Sequence, residues 1–383
     1  MDFHLSHEQI ALQKTVRDFA AKEIAPLAIE IDRDARFPAE TFKKLADMGL
    51  LGLLIPKGYG GRGDTVLACC VVSEEIARAC ASTSMSYLTH SVLFSHNLTC
   101  NGSEEQKKKY LPDAAAGKTI GAIAMTEPNA GSDVLSIETS GARDGDDYII
   151  NGRKTFITNA PVADVFLVYV RTDKNLGSHG ISQFIIEKGR PGFSVGKPFQ
   201  KMGMRGSPTG ELFFENCRVP AKNLVKGENK ALGILMGGLD VERTVGGAMA
   251  VGLAQAAFER ALVYARTRQQ FGQLLIMFEM IAEKLANMSM EIEASRLLTY
   301  KAATLCDEGV RCSAEASHAK LFASETSVRV ACEAVQILGG YGYMKENEVE
   351  RMMRDAKLGT IGGGTSEIQR LIIAREVVKR SMA

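Results

Sequence analysis

The hydrophobic pattern changes period twice along this chain, and that double change constrains the fold more than any other feature. Up to about residue 119 the apolar residues recur at helical spacing. Ile10, Leu12, Val16 and Phe19 share one face behind a Ser6/Gln9 capping box. Pro38 stands at a second helix start that Gly49 and Gly52 punctuate. The four glycines of KGYGGRGD (57–64) predict a loop, and helices resume through VLACCVVSEEIARACAS and SEEQKKKYLPDAAAG. From Ile120 to about Lys226 short β-rich runs take over, among them IGAIAMTE, DYIINGRKTFITN, VFLVYVRT, GISQFIIEK and ELFFENCRV. Turn residues separate them roughly every ten positions, which predicts an antiparallel barrel or sandwich rather than βαβ units. Helical spacing then returns to the end, with Leu253, Ala257, Ala261 and Ala265 four apart, as in close-packed bundle helices. Three domains follow: α-helical over 1–119, β over 120–226, and a C-terminal bundle over 227–383.

Charge and motif content narrow the chemistry. Lys and Arg number 46 against 45 Asp and Glu, so no long-range field draws the chain to nucleic acid or an anionic membrane. No apolar run is long enough for a membrane span, and no secretory signal is visible, so the reading is a cytoplasmic protein whose eight cysteines are reduced. The six histidines show no metal-ligand spacing with one another or with cysteine, so no metal is expected. LGGYGYM (338–344) puts Lys345 where a dinucleotide fingerprint needs its third glycine, and neither a P-loop nor a G-x-S-x-G elbow occurs. Two polar, glycine-bearing strings remain. AMTEPNAGSDVLS (124–136) offers Thr126 and Ser132 hydroxyls and a turn at Gly131 that can expose backbone N–H groups. IGGGTSEIQR (361–370) places Gly362, Gly363 and Gly364 before a helix start at Thr365, Ser366 and Glu367, a backbone that a ligand can approach closely.

At these strings the chain resembles the acyl-CoA dehydrogenase family, and isovaleryl-CoA dehydrogenase-like members in particular. Met125, Thr126, Glu127, Ala130, Gly131, Ser132 and Asp133 meet the family's first signature. Gln336, Gly339, Gly340, Gly342, Tyr343, Glu346, Arg351 and Asp355 meet its second, and RTRQQFG (266–272) is also present. The similarity runs over essentially the whole chain. It implies a mainly α fold with a central β-barrel domain and a C-terminal four-helix bundle, FAD as cofactor, a homotetramer built as a dimer of dimers, and electron exit to an electron-transferring flavoprotein. It also implies that Ile123, Met125, Thr126, Gly131 and Ser132 border the flavin, with Ser132 near the CoA phosphates too. Phe156 and Thr158 would pack beside the isoalloxazine, and Thr365 and Glu367 would lie at its other side. Arg268 and Phe271 would reach a neighbouring subunit's FAD, and Gln336, Gly339 and Gly340 its adenosine diphosphate arm. Glu279 after Phe278 replaces the family's usual Gln in that partner segment.

The departure that matters most lies in IGGGTSE. Most family members carry their catalytic Glu there, where this chain has Gly363. Isovaleryl- and long-chain-type members take the base from the bundle helix after a G-L-D-x-E-R string, and GLDVER (238–243) supplies it here as Glu242. The resemblance then leaves Gly363 its backbone N–H as one donor to the thioester carbonyl, the other being a ribityl hydroxyl of FAD. Asp240 and Arg243 flank the base and either hold the CoA pantetheine or order the helix. Gly362 and Gly363 open space near the α- and β-carbons, suiting a branched or alicyclic acyl group; isovaleryl, isobutyryl and cyclohexanecarboxyl all remain open. So do an inactive flavin-binding relative and an oxidase of the same fold.

Overall fold

The computed structural model describes residues 4–382. Helix α1 (His7–Phe19) opens with the expected box: Gln9 N–H donates to Ser6 Oγ at 3.2 Å, and Ser6 N–H donates to Gln9 Oε1 at 2.9 Å. It runs through a π turn and Pro26 into α2 (Ala28–Asp34), and α3 (Ala39–Asp47) starts behind Pro38. Then come α4 (Val66–Ala79) and α5 (Ala81–Leu88), separated by the extended Cys80. The chain continues from α5 as a buried π-helical run, Thr89–His96, into α6 (Asn97–Asn101), and α7 (Glu104–Ala115) closes this part behind a second capping box. Inside the π run His90 joins the helical and β parts. Gly121 N–H donates to its Nδ1 at 3.1 Å, which leaves Nε2 to donate to Ala114 O at 3.1 Å. Burial holds its pKa down to about 4, so a neutral imidazole fills this joint.

The middle part has eight strands: β1 (Gly121–Ala124), β2 (Ser140–Asp144), β3 (Asp147–Thr158), β4 (Val165–Arg171), β5 (Ile181–Glu187), β6 (Phe193–Val195), β7 (Thr209–Pro220) and β8 (Leu224–Val225). They form one sheet in the order β6-β7-β3-β2-β4-β5-β8, with β1 added on β4. The expected β-barrel is therefore corrected: the sheet is open and mixed. β1 runs parallel to β4 from Gly121↔Val165 to Ala124↔Val168, and β2 meets the same strand, also parallel, only at Ser140↔Arg171. The two ends of the path, β6 and β8, do not pair with each other. Regular spacing of apolar runs fixes where strands lie; it carries no information about whether the outermost strands meet.

The C-terminal helices are α8 (Ala231–Thr267), α9 (Glu279–Asp307), α10 (Ser313–Leu338), α11 (Val349–Gly359) and α12 (Ser366–Ser381). Helix α10 packs against α8, α9, α11 and α12. Leu253, Ala257, Ala261 and Ala265 are all buried along α8, as the small-residue spacing predicts. Gly252 shows why: a Cβ there would stand 2.1 Å from the Glu74 carbonyl oxygen, so α4 and α8 approach too closely for any side chain.

Candidate active site

Glu242 projects from the first third of α8, well inside the helix rather than at its start. Across from it lies the glycine turn between α11 and α12. A Cβ built on Gly363 would sit 3.4 Å from Glu242 Oε1 and 4.0 Å from Lys320 Cε. The two positions that could carry a base therefore face each other across one gap. The turn is held from outside: Lys320 Nζ donates to Gly364 O at 2.6 Å, and Gln369 Nε2 donates to Gly363 O at 3.0 Å and Gly364 O at 3.1 Å. Gly363 and Gly364 have φ values of +64° and +88°, a left-handed path that glycine follows without strain. Thr365 then caps α12, accepting from Ile368 N–H at 3.3 Å, with Glu367 in the first turn.

The electrostatics of this gap follow from burial. Protein atoms crowd the Glu242 carboxyl and raise its pKa, against the opposing pull of Arg243 and Lys320. Lys320 is itself pushed down to about 8 by burial, with Glu242 partly restoring it. Buried Tyr169 of β4 feels the Glu242 charge too, and its hydroxyl is held far above the ordinary phenol range, chiefly by burial. Asp240 points elsewhere: Ser313 Oγ donates to its Oδ2 at 2.9 Å, and Arg243 Nη1 lies 3.4 Å from its Oδ1. It ties α8 to the start of α10. Arg243 is buried, and its Nε finds no partner among the described residues.

The first signature folds as an anchored rim beside this gap. Lys154 is fully buried on β3, and its Nζ donates to Glu127 Oε1 at 2.7 Å and Met125 O at 3.0 Å. Glu127 also accepts from Glu138 N–H at 2.6 Å and Thr139 N–H at 3.0 Å. Thr126 O accepts from Thr155 N–H at 2.9 Å. Thus Glu127 is the peg of the loop, while Gly131 and Ser132 stay exposed and a Cβ on Gly131 would meet nothing within 4 Å. On β3 the register slips between Lys154 and Ile157, a bulge that throws Phe156 outward, 67% exposed at φ +57°. Thr158 pairs with Thr209 just beyond it. Half-buried Ile123 and Met125 pack with Tyr169 and with Leu235 and Leu239 of α8, joining the rim to the helix that carries Glu242.

The remaining predicted residues gather at the far end of α8. Arg268 caps that helix with its guanidinium 5.8 Å from the centre of the Tyr341 ring. Together with Tyr264, Gly339 and Gly340 these two line an open cleft of about 510 Å³. Gln336 is exposed nearby on α10, Glu279 is exposed at the start of α9, and Phe271 is 95% exposed at φ +51°. Glu242 and Arg268 lie roughly 40 Å apart along α8 at the helical rise. Within one chain these two groups of residues do not meet. Lys320, Tyr169 and Lys154 were missed by sequence reasoning. Tyr169 in VFLVYVR and Lys320 in HAKLFAS carried the signal of a polar residue among apolar neighbours, whereas Lys154, between Arg153 and Thr155, carried none.

These surfaces suit a large flat heterocycle bearing phosphates: an aromatic face turned outward at Phe156, open backbone at Gly131, Gly339 and Gly340, and a cation above a tyrosine ring at Arg268. A half-buried carboxylate, Glu242, faces the bare backbone of Gly363. The chain belongs to the acyl-CoA dehydrogenase family: the family's N-terminal domain matches residues 6–118, its middle domain 122–217 and its C-terminal domain 229–378. It is 45% identical to the short-chain-specific acyl-CoA dehydrogenase of Clostridium acetobutylicum over 99% of this chain and 100% of that protein. It is 44% identical to mitochondrial isovaleryl-CoA dehydrogenase of Pongo abelii, over 97% of this chain and 89% of that one. It is 45% identical to cyclohex-1-ene-1-carbonyl-CoA dehydrogenase of Syntrophus aciditrophicus, over 98% and 91%. Among solved structures, a chain of the one described as the electron transferring flavoprotein of Acidaminococcus fermentans superposes with a TM-score of 0.97 at 40% identity, over 98% of this chain and 99% of that one. The FAD complex of PigA superposes at 0.96 with 32% identity, over 99% and 100%. The protein is an acyl-CoA dehydrogenase, and its cofactor is FAD. Among the described residues no helix is long and apolar enough to cross a membrane.

Proposed function

We propose that this protein α,β-dehydrogenates a short branched or alicyclic acyl-CoA to the 2-enoyl-CoA, with Glu242 as base. The observation that carries this reading is the 3.4 Å approach of Glu242 Oε1 to the vacant side-chain position of Gly363. A carboxylate there reaches a thioester α-carbon lying over the turn, and a burial-raised pKa makes it a stronger base than a carboxylate in water. The backbone N–H of Gly363 serves the thioester carbonyl as a preorganised donor against the developing enolate charge. Glu242 takes the α-proton, and its new O–H faces the carbon it came from. Bound FAD supplies the acceptor for the β-hydrogen and its electron pair. Met125, Thr126, Gly131, Ser132, Phe156 and Thr158 would hold the flavin from one side, and Thr365 and Glu367 from the other.

A branched or ring-shaped chain fits because the glycine turn leaves volume beside the reacting carbons. A Cβ on Gly362 would make ordinary contact with Leu358, 3.7 Å from its carbonyl oxygen, so the volume left there is what a side chain extending beyond Cβ would fill. The names of the short-chain, isovaleryl and cyclohexene-carbonyl relatives support this class. The separation of the two groups of residues supports a homotetramer of paired dimers, in which Arg268, Phe271 and Glu279 complete a partner's FAD site with the partner's glycine rim. An electron-transferring flavoprotein is the electron acceptor, and eight free cysteines suit a reducing cytoplasm. An anaerobic panel of isovaleryl-, isobutyryl-, cyclohexanecarboxyl- and butyryl-CoA, scored by flavin bleaching, tests the reading. Bleaching by a branched or cyclic member is expected. No bleaching by any member overturns the activity, and fastest bleaching by butyryl-CoA overturns the substrate class.

A further inference from the structure

The turn between α9 and α10 holds a thiol pair that acyl-CoA chemistry does not use. Cys306 Sγ and Cys312 Sγ lie 3.4 Å apart, with nothing between them, across the five-residue turn Asp307–Arg311. Cys312 is buried as the residue preceding α10, while Cys306 retains surface near the end of α9. The other six cysteines show no comparable sulfur–sulfur contact among the described residues. Three of them, Cys69, Cys70 and Cys80, are buried in the helical core, and Cys100 and Cys332 are exposed.

We propose that Cys306 and Cys312 are a peroxide-oxidised dithiol site, Cys306 the reacting thiol and Cys312 the resolving one. The Cys306 sulfur attacks one peroxide oxygen; the O–O bond breaks, and the departing oxygen leaves as water with the proton given up by the Cys306 thiol, giving a sulfenic acid on Cys306. The Cys312 sulfur then attacks the Cys306 sulfur, the S–O bond breaks, and the Cys312 proton leaves with that oxygen as a second water. The two sulfurs together lose two electrons and hydrogen peroxide gains them. Sulfur–sulfur contact needs only a closure of about 1.4 Å to reach a disulfide bond length. A second feature makes the turn a good place for such a bond. It is clamped on both sides: Asp307 accepts from Val66 N–H at 2.6 Å and Leu67 N–H at 3.1 Å, and Ser313 holds Asp240. Fixed flanks keep the two sulfurs together long enough for the second thiol to capture the sulfenic acid.

Tryptic digestion reads the bond directly, because Arg311 lies between the two cysteines. Cleavage after Lys301, Arg311 and Lys320 puts Cys306 in AATLCDEGVR and Cys312 in CSAEASHAK. The FAD-loaded protein is treated with hydrogen peroxide, alkylated and digested without reductant. The two peptides are expected as one linked species that dithiothreitol separates, and Cys306→Ser should remove it. Because the buried Cys312 thiol is pushed up by its Cys306 neighbour and by burial, linkage should form faster as pH rises from 7 to 9. Free Cys312 beside a Cys306 sulfinic acid, under peroxide that fully oxidises exposed Cys100 and Cys332, overturns the proposal. So does complete alkylation of both Cys306 and Cys312 under those conditions. Neither result bears on the acyl-CoA reading, which the flavin-bleaching panel tests alone.

Discussion

Two glycine-rich turns terminate two neighbouring helices of this protein, and they leave space for opposite purposes. At Gly339 and Gly340, after α10, a side chain would meet no protein atom within 4 Å. At Gly363, after α11, it would meet Glu242 and Lys320. The first vacancy opens outward onto the Arg268 cleft, and the second opens inward onto a carboxylate. Glycine content alone does not separate these cases; what faces the missing Cβ does. An outward vacancy admits something the chain does not supply, whereas an inward one gives a reacting group of the chain room to work.

Four variants break or sharpen that contrast. The largest effect is expected at the inward turn. Glu242→Gln should keep FAD and bind acyl-CoA yet lower the flavin reduction rate about 10²- to 10⁴-fold, the usual contribution of a positioned base. Reduction at the wild-type rate would remove Glu242 from the chemistry. Next comes the double variant Gly363→Glu, Glu242→Gly, which moves the carboxylate across the gap and fills the space beside the β-carbon. A misfit of one methyl group costs about 1–3 kcal/mol, so preference for butyryl- over isovaleryl-CoA should rise about 10- to 200-fold in kcat/KM. An unchanged ratio would show that chain shape is read elsewhere.

At the outward turn Gly340→Val should leave unfolding midpoints nearly unchanged, since the new side chain meets only open space. FAD dissociation, followed by flavin fluorescence, should nonetheless become about 5- to 160-fold easier, the effect of overpacking a contact by about 1–3 kcal/mol. Unaltered FAD retention would mean that the vacancy faces solvent only. The smallest effect is expected from Lys320→Met, with Lys320→Arg as its conservative control. Arg243 and Lys320 are the charges facing Glu242, and the third polar neighbour, Tyr169, stays neutral. Removing the Lys320 charge therefore raises the Glu242 pKa further. The acid limb of kcat/KM, where the base must lose its proton, should move to higher pH, lowering the rate at pH 6 by about tenfold or less. An unmoved limb would separate Lys320 from the base, leaving it only the Gly364 carbonyl to hold.

Both turns were visible in the sequence as motifs; their opposite orientations were not. The period changes near residues 120 and 226 located the helical and β parts, and the Ser6/Gln9 box marked the first helix start, because capping and periodicity are local. The pairing of Glu242 with an absent side chain at 363 was also legible, since a missing acid and a spare acid stood at two family positions. Contacts between distant segments were hidden. Nothing local says that β1 joins β4 in parallel, or that the bulge at Thr155 and Phe156 turns a ring outward. The roles of Lys154 and Lys320 were hidden as well, because a buried lysine depends on carbonyl and carboxylate partners brought in by the fold.

Helix α8 runs without interruption from Glu242, in its first third, to Thr267, with Arg268 as the residue that caps it. A continuous helix advances about 100° and 1.5 Å with every residue, so its length and its phase cannot be adjusted separately. Inserting or deleting one residue anywhere between those two positions would swing one of them about a third of the way round the helix axis. Substitution can tune either end freely, but the count of residues joining them is frozen.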